Sequence, residues 1–216
     1  MLEYERQFWA RGMRRLAGVD EAGRGPLAGP VMAAAVIIDP SFAEAEEHGQ
    51  LEGLTDSKQL SEGRRNFFFE ILMRSQFVEK SVGTADSREI DELNILRATH
   101  LAMARAVGGL AVLPEHVLVD GLPVHGLPCE STAIVSGDAK SLSIAAASVI
   151  AKVTRDSLMK KLDGIYSQYG FARHKGYGTR AHMQALLEYG PSPEHRRSFR
   201  PVREAAEIRT RSGSGS

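Results

Sequence analysis

Apolar residues recur along this chain in two rhythms, and each predicts a different kind of element. Leu16 to Ala22 and Gly29 to Ile38 are short apolar runs on either side of a glycine-rich bend, a pattern that predicts two strands. Phe77 to Ala85 alternates and predicts a third strand. His116-Val-Leu-Val-Asp120 and Ala133-Ile-Val-Ser-Gly137-Asp138 are two further apolar runs, each delivering an aspartate to a strand end. Elsewhere the spacing is helical. Residues 1–15, with Phe8, Trp9 and Met13 among charges, predict a short helix. Ser61 is placed to cap a helix that buries Phe67, Phe68, Ile71 and Leu72. Asp86 and Glu89 form a capping pair for one helix reaching about Val107, with Ile90, Leu93, Leu96, Leu101, Ala104 and Val107 inward. A long helix over about 141–165 carries Leu142, Ala145, Ala146, Val149 and Val153 as its core stripe. Residues 39–60 read as a polar connection, and one more helix runs to about Tyr189.

This order of elements predicts an α/β fold with a mixed central sheet flanked by helices. Residues 1–165 are expected to form the core and 166–211 a small C-terminal helical extension packed on it, with 212–216 a flexible Ser/Gly tail outside the fold. The longest purely apolar run, Val31 to Ile38, is too short to span a bilayer, so no membrane association is expected. Cys129 is the lone cysteine, which excludes a disulfide framework and fits a reducing cytoplasm.

Charge changes the picture more than composition does. The 27 basic and 27 acidic residues balance, yet Asp39 to Glu92 holds thirteen acids against six Lys/Arg, and Lys152 to the end thirteen Lys/Arg against six acids. One part of the chain is therefore suited to a phosphate backbone and another is not.

Candidate chemistry gathers at the ends of the apolar runs. Asp20, Glu21, Asp120 and Asp138 all lie there, with no sequence neighbour to neutralise them. Carboxylates without His or Cys suit hard, oxygen-preferring cations such as Mg²⁺ or Mn²⁺ rather than zinc. Two such ions about 4 Å apart can activate a water and stabilise the leaving oxygen of a phosphodiester. Because neighbouring strand residues face opposite ways, Asp20 and Glu21 can share a metal centre only if the strand curls or ends there. Gly23 and Gly25 then leave bare backbone for a ligand to approach. The glycines do not form a dinucleotide fingerprint, since Pro26 interrupts the helix that should follow. Ser148, Lys152 and Arg155 share one polar helix face. Lys58, Lys152, Arg155 and Lys175 are the candidate phosphate contacts. His195, set among Pro193, Arg196 and Arg197, is expected to hold the C-terminal segment rather than do chemistry.

From about Leu16 to Val202 the chain resembles the bacterial ribonuclease HII family, the type 2 ribonucleases H. Seven blocks in order carry the resemblance: Val19-Asp-Glu-Ala-Gly-Arg-Gly-Pro-Leu-Ala-Gly-Pro, Thr55-Asp-Ser-Lys-Gln-Leu-Ser, Glu89-Ile-Asp-Glu-Leu-Asn-Ile-Leu, Val119-Asp-Gly, Gly137-Asp through Ala151-Lys-Val-Thr-Arg-Asp, His174-Lys-Gly-Tyr-Gly-Thr, and His195-Arg-Arg-Ser-Phe. The resemblance implies a ribonuclease H-like fold. It also implies metal-dependent cleavage on the 5′ side of ribonucleotides, in RNA–DNA hybrids and at single ribonucleotides embedded in duplex DNA, leaving 3′-hydroxyl and 5′-phosphate ends. By the same likeness the metal-binding, catalytic acids fall on Asp20, Glu21, Asp120 and Asp138. Gly23-Arg24-Gly25 matches the motif that reads the ribose 2′-hydroxyl, the group that separates RNA from DNA, and Tyr177 the residue that packs on the following sugar. No small-molecule cofactor is implied, and a monomer is expected. Ser136 departs from the lysine often found before the last Gly-Asp, which removes a positive charge beside Asp138. The sister type, ribonuclease HIII, shares the acids but not Gly-Arg-Gly. A non-catalytic binding module or an ATPase on the same fold are the other readings, and no P-loop is found for the last.

Overall fold

The structure, a computed structural model, describes residues 1–213, with side chains through Ile208; of the expected tail, 214–216 lie outside the described residues. Among the described residues five strands form one sheet: β1 (Leu16–Ala22), β2 (Val31–Ile38), β3 (Val78–Ala85), β4 (His116–Asp120) and β5 (Ser131–Ile134), in the order β3-β2-β1-β4-β5. β2 runs antiparallel to β1, whereas β4 is parallel to β1 and β5 to β4. β2 is buried at all eight positions, as an unbroken apolar run covered on both faces should be. The helices are α1 (Glu3–Trp9), α2 (Pro40–Glu46), α3 (Glu62–Arg74), α4 (Ser87–Leu93), α5 (Ile95–Gly108), α6 (Leu142–Ile165), α7 (Phe171–His174), α8 (Arg180–Tyr189) and α9 (Arg200–Gly213). None of those among the described residues is long and apolar enough to cross a membrane.

Two compact units divide these elements, and neither is continuous in sequence. Among the described residues, the first takes 1–22, 32–84 and 99–153; the second takes 23–31, 85–98 and 154–213. The first holds the sheet, whose core packs Val36, Ile38, Phe68 and Leu72 with Leu142, Ala146 and Val149 of α6. The second has its own apolar clusters, one around Ala28, Met159, Tyr169 and Phe171 and one around Leu27, Leu186 and Val202.

β1 can press against the start of α6 because Gly18 has no side chain: a Cβ there would overlap the backbone of Ser143 and Ile144. Gly18→Ala must push strand and helix apart at backbone atoms that cannot rotate away. We expect it to cost about 3 kcal/mol, read as a lower urea midpoint with unchanged m.

Several elements differ from expectation for local reasons. The polar connection 39–60 contains α2, started by Asp39, whose carboxylate accepts from Ser41 and Phe42 N–H, and by Pro40 at the first helical position. The single helix expected from Asp86 to Val107 is two. Asn94 adopts a left-handed φ of 70°, and its Oδ1 accepts from the N–H groups of Leu96 and Arg97, capping a new helix. That break resets the helical phase, so Ala98, Ala102 and Ala106 are buried and Leu96 is exposed. Phe67, expected inside α3, is 49% exposed. β5 stops at Ile134, so Asp138 sits not on a strand end but in a 3-10 turn, Gly137–Ala139, entered through Ser136 at φ 55°.

Candidate active site

Strand register builds the acid cluster. Val19 of β1 lies opposite Val119 of the parallel β4, so the next residues, Asp20 and Asp120, leave neighbouring strands side by side at their C-terminal ends. This is where open α/β sheets place ligands. The turn after β5 adds Asp138, and carboxylate oxygens of Asp20, Asp120 and Asp138 all lie within 4.8 Å of one another. Asp120 is fixed by Gly137 N–H, 2.7 Å from its Oδ1. Glu21 is outside this set of three. β1 continues through Ala22 instead of curling at Asp20, yet the Glu21 charge still reaches the cluster, acting on both Asp20 and Lys58.

The electrostatics follow from crowding. Burial, then the charges of Glu21 and Asp120, hold the Asp20 carboxyl well above the usual range, against hydrogen bonds from Ser148 and the Glu21 N–H. Burial, Asp120 and Asp56 push Asp138 up to about 6, against the attraction of Lys58. Burial alone would lower the Lys58 pKa, but Asp20, Asp56, Asp138 and Glu21 outweigh it and raise it. A lysine in the loop before α3 thus faces the acids, although Ser136 stands where a neighbouring lysine was expected. Three close, mutually repelling carboxylates with only oxygen donors fit a hard divalent cation, which would relieve the repulsion that the bare cluster carries.

Sequence reasoning passed over three residues here. Ser148 of α6 hydrogen-bonds Asp20, and its hydroxyl lies 2.9 Å from that of Ser57. Asp56 hydrogen-bonds Asp138 and accepts from the Lys58 N–H at 2.8 Å. Position on the polar face of α6 was the available signal for Ser148, and an acid two residues before Lys58 the signal for Asp56. Lys152 is half-buried on α6 in this same unit.

The other predicted residues belong to the second unit. Gly23, Arg24 and Gly25 open its first segment, with Gly23 at φ 98° and Arg24 and Gly25 exposed. Two buried guanidiniums shape this turn. Arg196 donates to the carbonyls of Gly23, Arg24 and Gly29 at 2.6–3.0 Å. Arg155 donates to Ala28, Pro30 and Lys175 carbonyls at 3.0–3.1 Å. At 1% exposure Arg155 has no face to offer a phosphate, and a bracing role replaces the contact predicted for it. Lys175 is half-buried, with its ammonium turned onto the Ala172 carbonyl. Tyr177 is 45% exposed, and its Cε1 lies 3.5 Å from where a Cβ on Gly25 would be. His195 is buried and pairs with Ala28 in an isolated bridge. The signal available for Arg196 was its place in the His195-Arg-Arg-Ser-Phe block; taken alone, a basic residue in an Arg-Arg pair reads as surface.

Comparison with known proteins accords with this geometry. The ribonuclease HII family model matches residues 17–202. A Ribonuclease HII of Desulfitobacterium hafniense is 50% identical over 96% of this chain and 77% of its own. Ribonuclease HII 1 of Methylibium petroleiphilum is 54% identical over 88% of this chain and 91% of its own. Among solved structures, ribonuclease H2 of Pyrococcus horikoshii superposes with a TM-score of 0.73 at 29% identity, over 89% of this chain and 97% of that one. The chain belongs to the ribonuclease HII family and is an endoribonuclease that cleaves RNA in RNA–DNA hybrids.

Proposed function

We propose that this endoribonuclease also hydrolyses the phosphodiester on the 5′ side of a single ribonucleotide embedded in duplex DNA, leaving 3′-hydroxyl and 5′-phosphate ends. The observation that carries this reading is the meeting of the Tyr177 ring with the bare backbone of Gly25 on the surface of the second unit. A glycine backbone admits a sugar edge closely enough to sense its 2′-hydroxyl, the group that distinguishes ribose from deoxyribose. An exposed aromatic ring beside it gives the adjoining sugar an apolar surface. Together they suit recognition of one ribose followed by a deoxyribose.

Asp20, Asp120 and Asp138, with Glu21, would hold Mg²⁺ or Mn²⁺. When bound, such ions supply Lewis acidity to the scissile phosphate and lower the pKa of a water nucleophile. The chain's own groups prepare for this. Gly137 N–H orients Asp120, Ser148 and the Glu21 N–H orient Asp20, and the Lys58 ammonium offsets the cluster's charge beside the incoming phosphate. Arg24, exposed on the turn, supplies a cation for the backbone.

The test is a cleavage map on end-labelled duplex DNA with one ribonucleotide, run with Mg²⁺, with Mn²⁺ and with chelator. We expect one cut, 5′ to the ribonucleotide, with either metal and none with chelator. Cutting confined to runs of several ribonucleotides would refute the reading and point to behaviour of the ribonuclease HIII type.

A further inference from the structure

Behind Tyr177 lies a chain of hydrogen bonds through buried histidines that no step above uses. The Ser192 N–H points at His195 Nδ1, 3.0 Å away. A backbone N–H only donates, so that nitrogen is bare and the neutral ring carries its proton on Nε2. His195 Nε2 meets His182 Nε2 at 3.0 Å. At the far end, His182 Nδ1 lies 2.9 Å from the Tyr177 carbonyl. A carbonyl only accepts, so His182 is protonated on Nδ1 and bare on Nε2. Reasoning inward from either end gives the same assignment: Ser192 N–H to His195, His195 Nε2–H to His182, His182 Nδ1–H to Tyr177.

The surroundings enforce it. Both rings are buried. Burial and then the neighbouring His182 push His195 down to about 3 against the Ser192 backbone, with Arg197 adding to the fall, and burial lowers His182 as well, so burial disfavours the charged rings that would set two N–H groups face to face. His174 stacks on His182 with ring centres 4.4 Å apart. Its carbonyl accepts the Tyr177 N–H at 2.9 Å. The Tyr177 N–H is therefore held by His174, and its carbonyl by His182 and, at 2.8 Å, by the Thr179 N–H, while the ring stands at the surface beside Gly25.

We propose that His195 and His182 form a tautomer-locked relay that positions Tyr177, and that the relay sets the preference for an isolated ribonucleotide over a continuous hybrid. The histidines are positioning residues, and the proposal rests on the reading of Tyr177 given above.

Two substitutions at one buried site separate positioning from general packing. In His182→Asn the side-chain amide falls where Nδ1 was and still donates to the Tyr177 carbonyl. In His182→Gln the amide falls where Nε2 was, keeping the link to His195 and losing the one to Tyr177. The readout is the ratio of kcat/KM on a single-ribonucleotide duplex to kcat/KM on a continuous hybrid. We expect His182→Gln to lower it about tenfold, the scale of one hydrogen bond, and His182→Asn to stay within about twofold of the parent. Tyr177→Leu should lower it at least as far. Two-bond ¹H–¹⁵N spectra of the parent should show His182 protonated on Nδ1 and His195 on Nε2. Both rings protonated on Nε2 would overturn the relay, as would equal ratios for the two His182 variants. A loss with Tyr177→Leu but none with His182→Gln overturns the relay and leaves the Tyr177 reading standing. An unchanged ratio in Tyr177→Leu overturns that reading and the relay's role with it.

Discussion

Asp20→Asn is expected to lower hybrid cleavage by about three orders of magnitude, to leave hybrid binding intact, and to make the chain harder to unfold in chelator. The first effect follows from position. Asp20 is one of three carboxylates within 4.8 Å, and divalent-ion catalysis supplies several kcal/mol of transition-state stabilisation that an incomplete ligand set forfeits. The second follows because the phosphate and sugar contacts are assigned to other residues. The third is the converse of the first. Burial and the charges of Glu21 and Asp120 raise the Asp20 pKa, so its ionised form opposes folding at neutral pH. An amide of the same shape can still accept from the Glu21 N–H, now at 2.7 Å from Oδ1, without the charge. Each kcal/mol of relieved repulsion is worth about 2–4 °C in Tm for a chain of this size. The sign in pH is fixed. A carboxyl with a raised folded pKa costs stability once pH passes its unfolded value, near 3.8, so the variant's advantage is fullest at pH 7 and shrinks as pH falls toward that value. Mg²⁺ should then stabilise the parent more than the variant. Thermal unfolding with and without Mg²⁺, beside a cleavage time course, reads all of this. A variant less stable than its parent in chelator would show that the carboxylate is held by favourable contacts, and near-normal cleavage would remove Asp20 from the ligand set.

How far the sequence announced this site depends on whether a residue's job is local. Asp20 and Asp120 were legible because an apolar run that stops on an acid describes a strand end directly. Asp138 was legible as a residue but not as a conformation, since Ser136 takes a left-handed φ to enter a 3-10 turn that no periodicity marks. Glu21 stayed ambiguous because adjacency in sequence and adjacency in space differ along a strand. The cap at Asn94 was missed because asparagine inside a helical rhythm looks tolerable until its positive φ is known. Least legible were groups whose partners lie far along the chain. Arg155 read as a surface cation on a polar helix face, and only the carbonyls of Ala28, Pro30 and Lys175 reveal it as interior. The grouping of 23–31 and 85–98 with the C-terminal helices has the same origin, since hydrophobic rhythm reports burial but not which surface does the burying.

Arg196→Lys is expected to cost about 4 kcal/mol, near 10 °C in Tm, and to abolish single-ribonucleotide recognition at temperatures where the variant is still folded. Arg196 is fully buried and its planar fork serves three carbonyls at once: Gly23 at 2.6 Å, Arg24 at 2.9 Å and Gly29 at 2.8 and 3.0 Å. Phe199 covers its face, 5.2 Å from ring centre to guanidinium carbon. Burial, then the like charge of Arg155, pushes its pKa down to about 9, and Asp91 pulls the other way, so the group remains cationic at neutral pH. A lysine ammonium has three donors on one point and cannot span carbonyls set around a fork, which leaves buried acceptors short of partners at about 1–3 kcal/mol each. Those acceptors belong to the Gly23–Gly25 turn, whose shape the proposed ribose reading requires. Arg24→Ala is the contrast. Arg24 is exposed, so its loss should move stability by no more than about 0.5 kcal/mol while weakening substrate capture. Urea midpoints and cleavage of a single-ribonucleotide duplex, measured on both variants, separate a residue that builds the turn from one that uses it. If Arg196→Lys unfolded like the parent, the turn would owe its shape to Gly23 and Gly29 alone, and the guanidinium would be a replaceable filler.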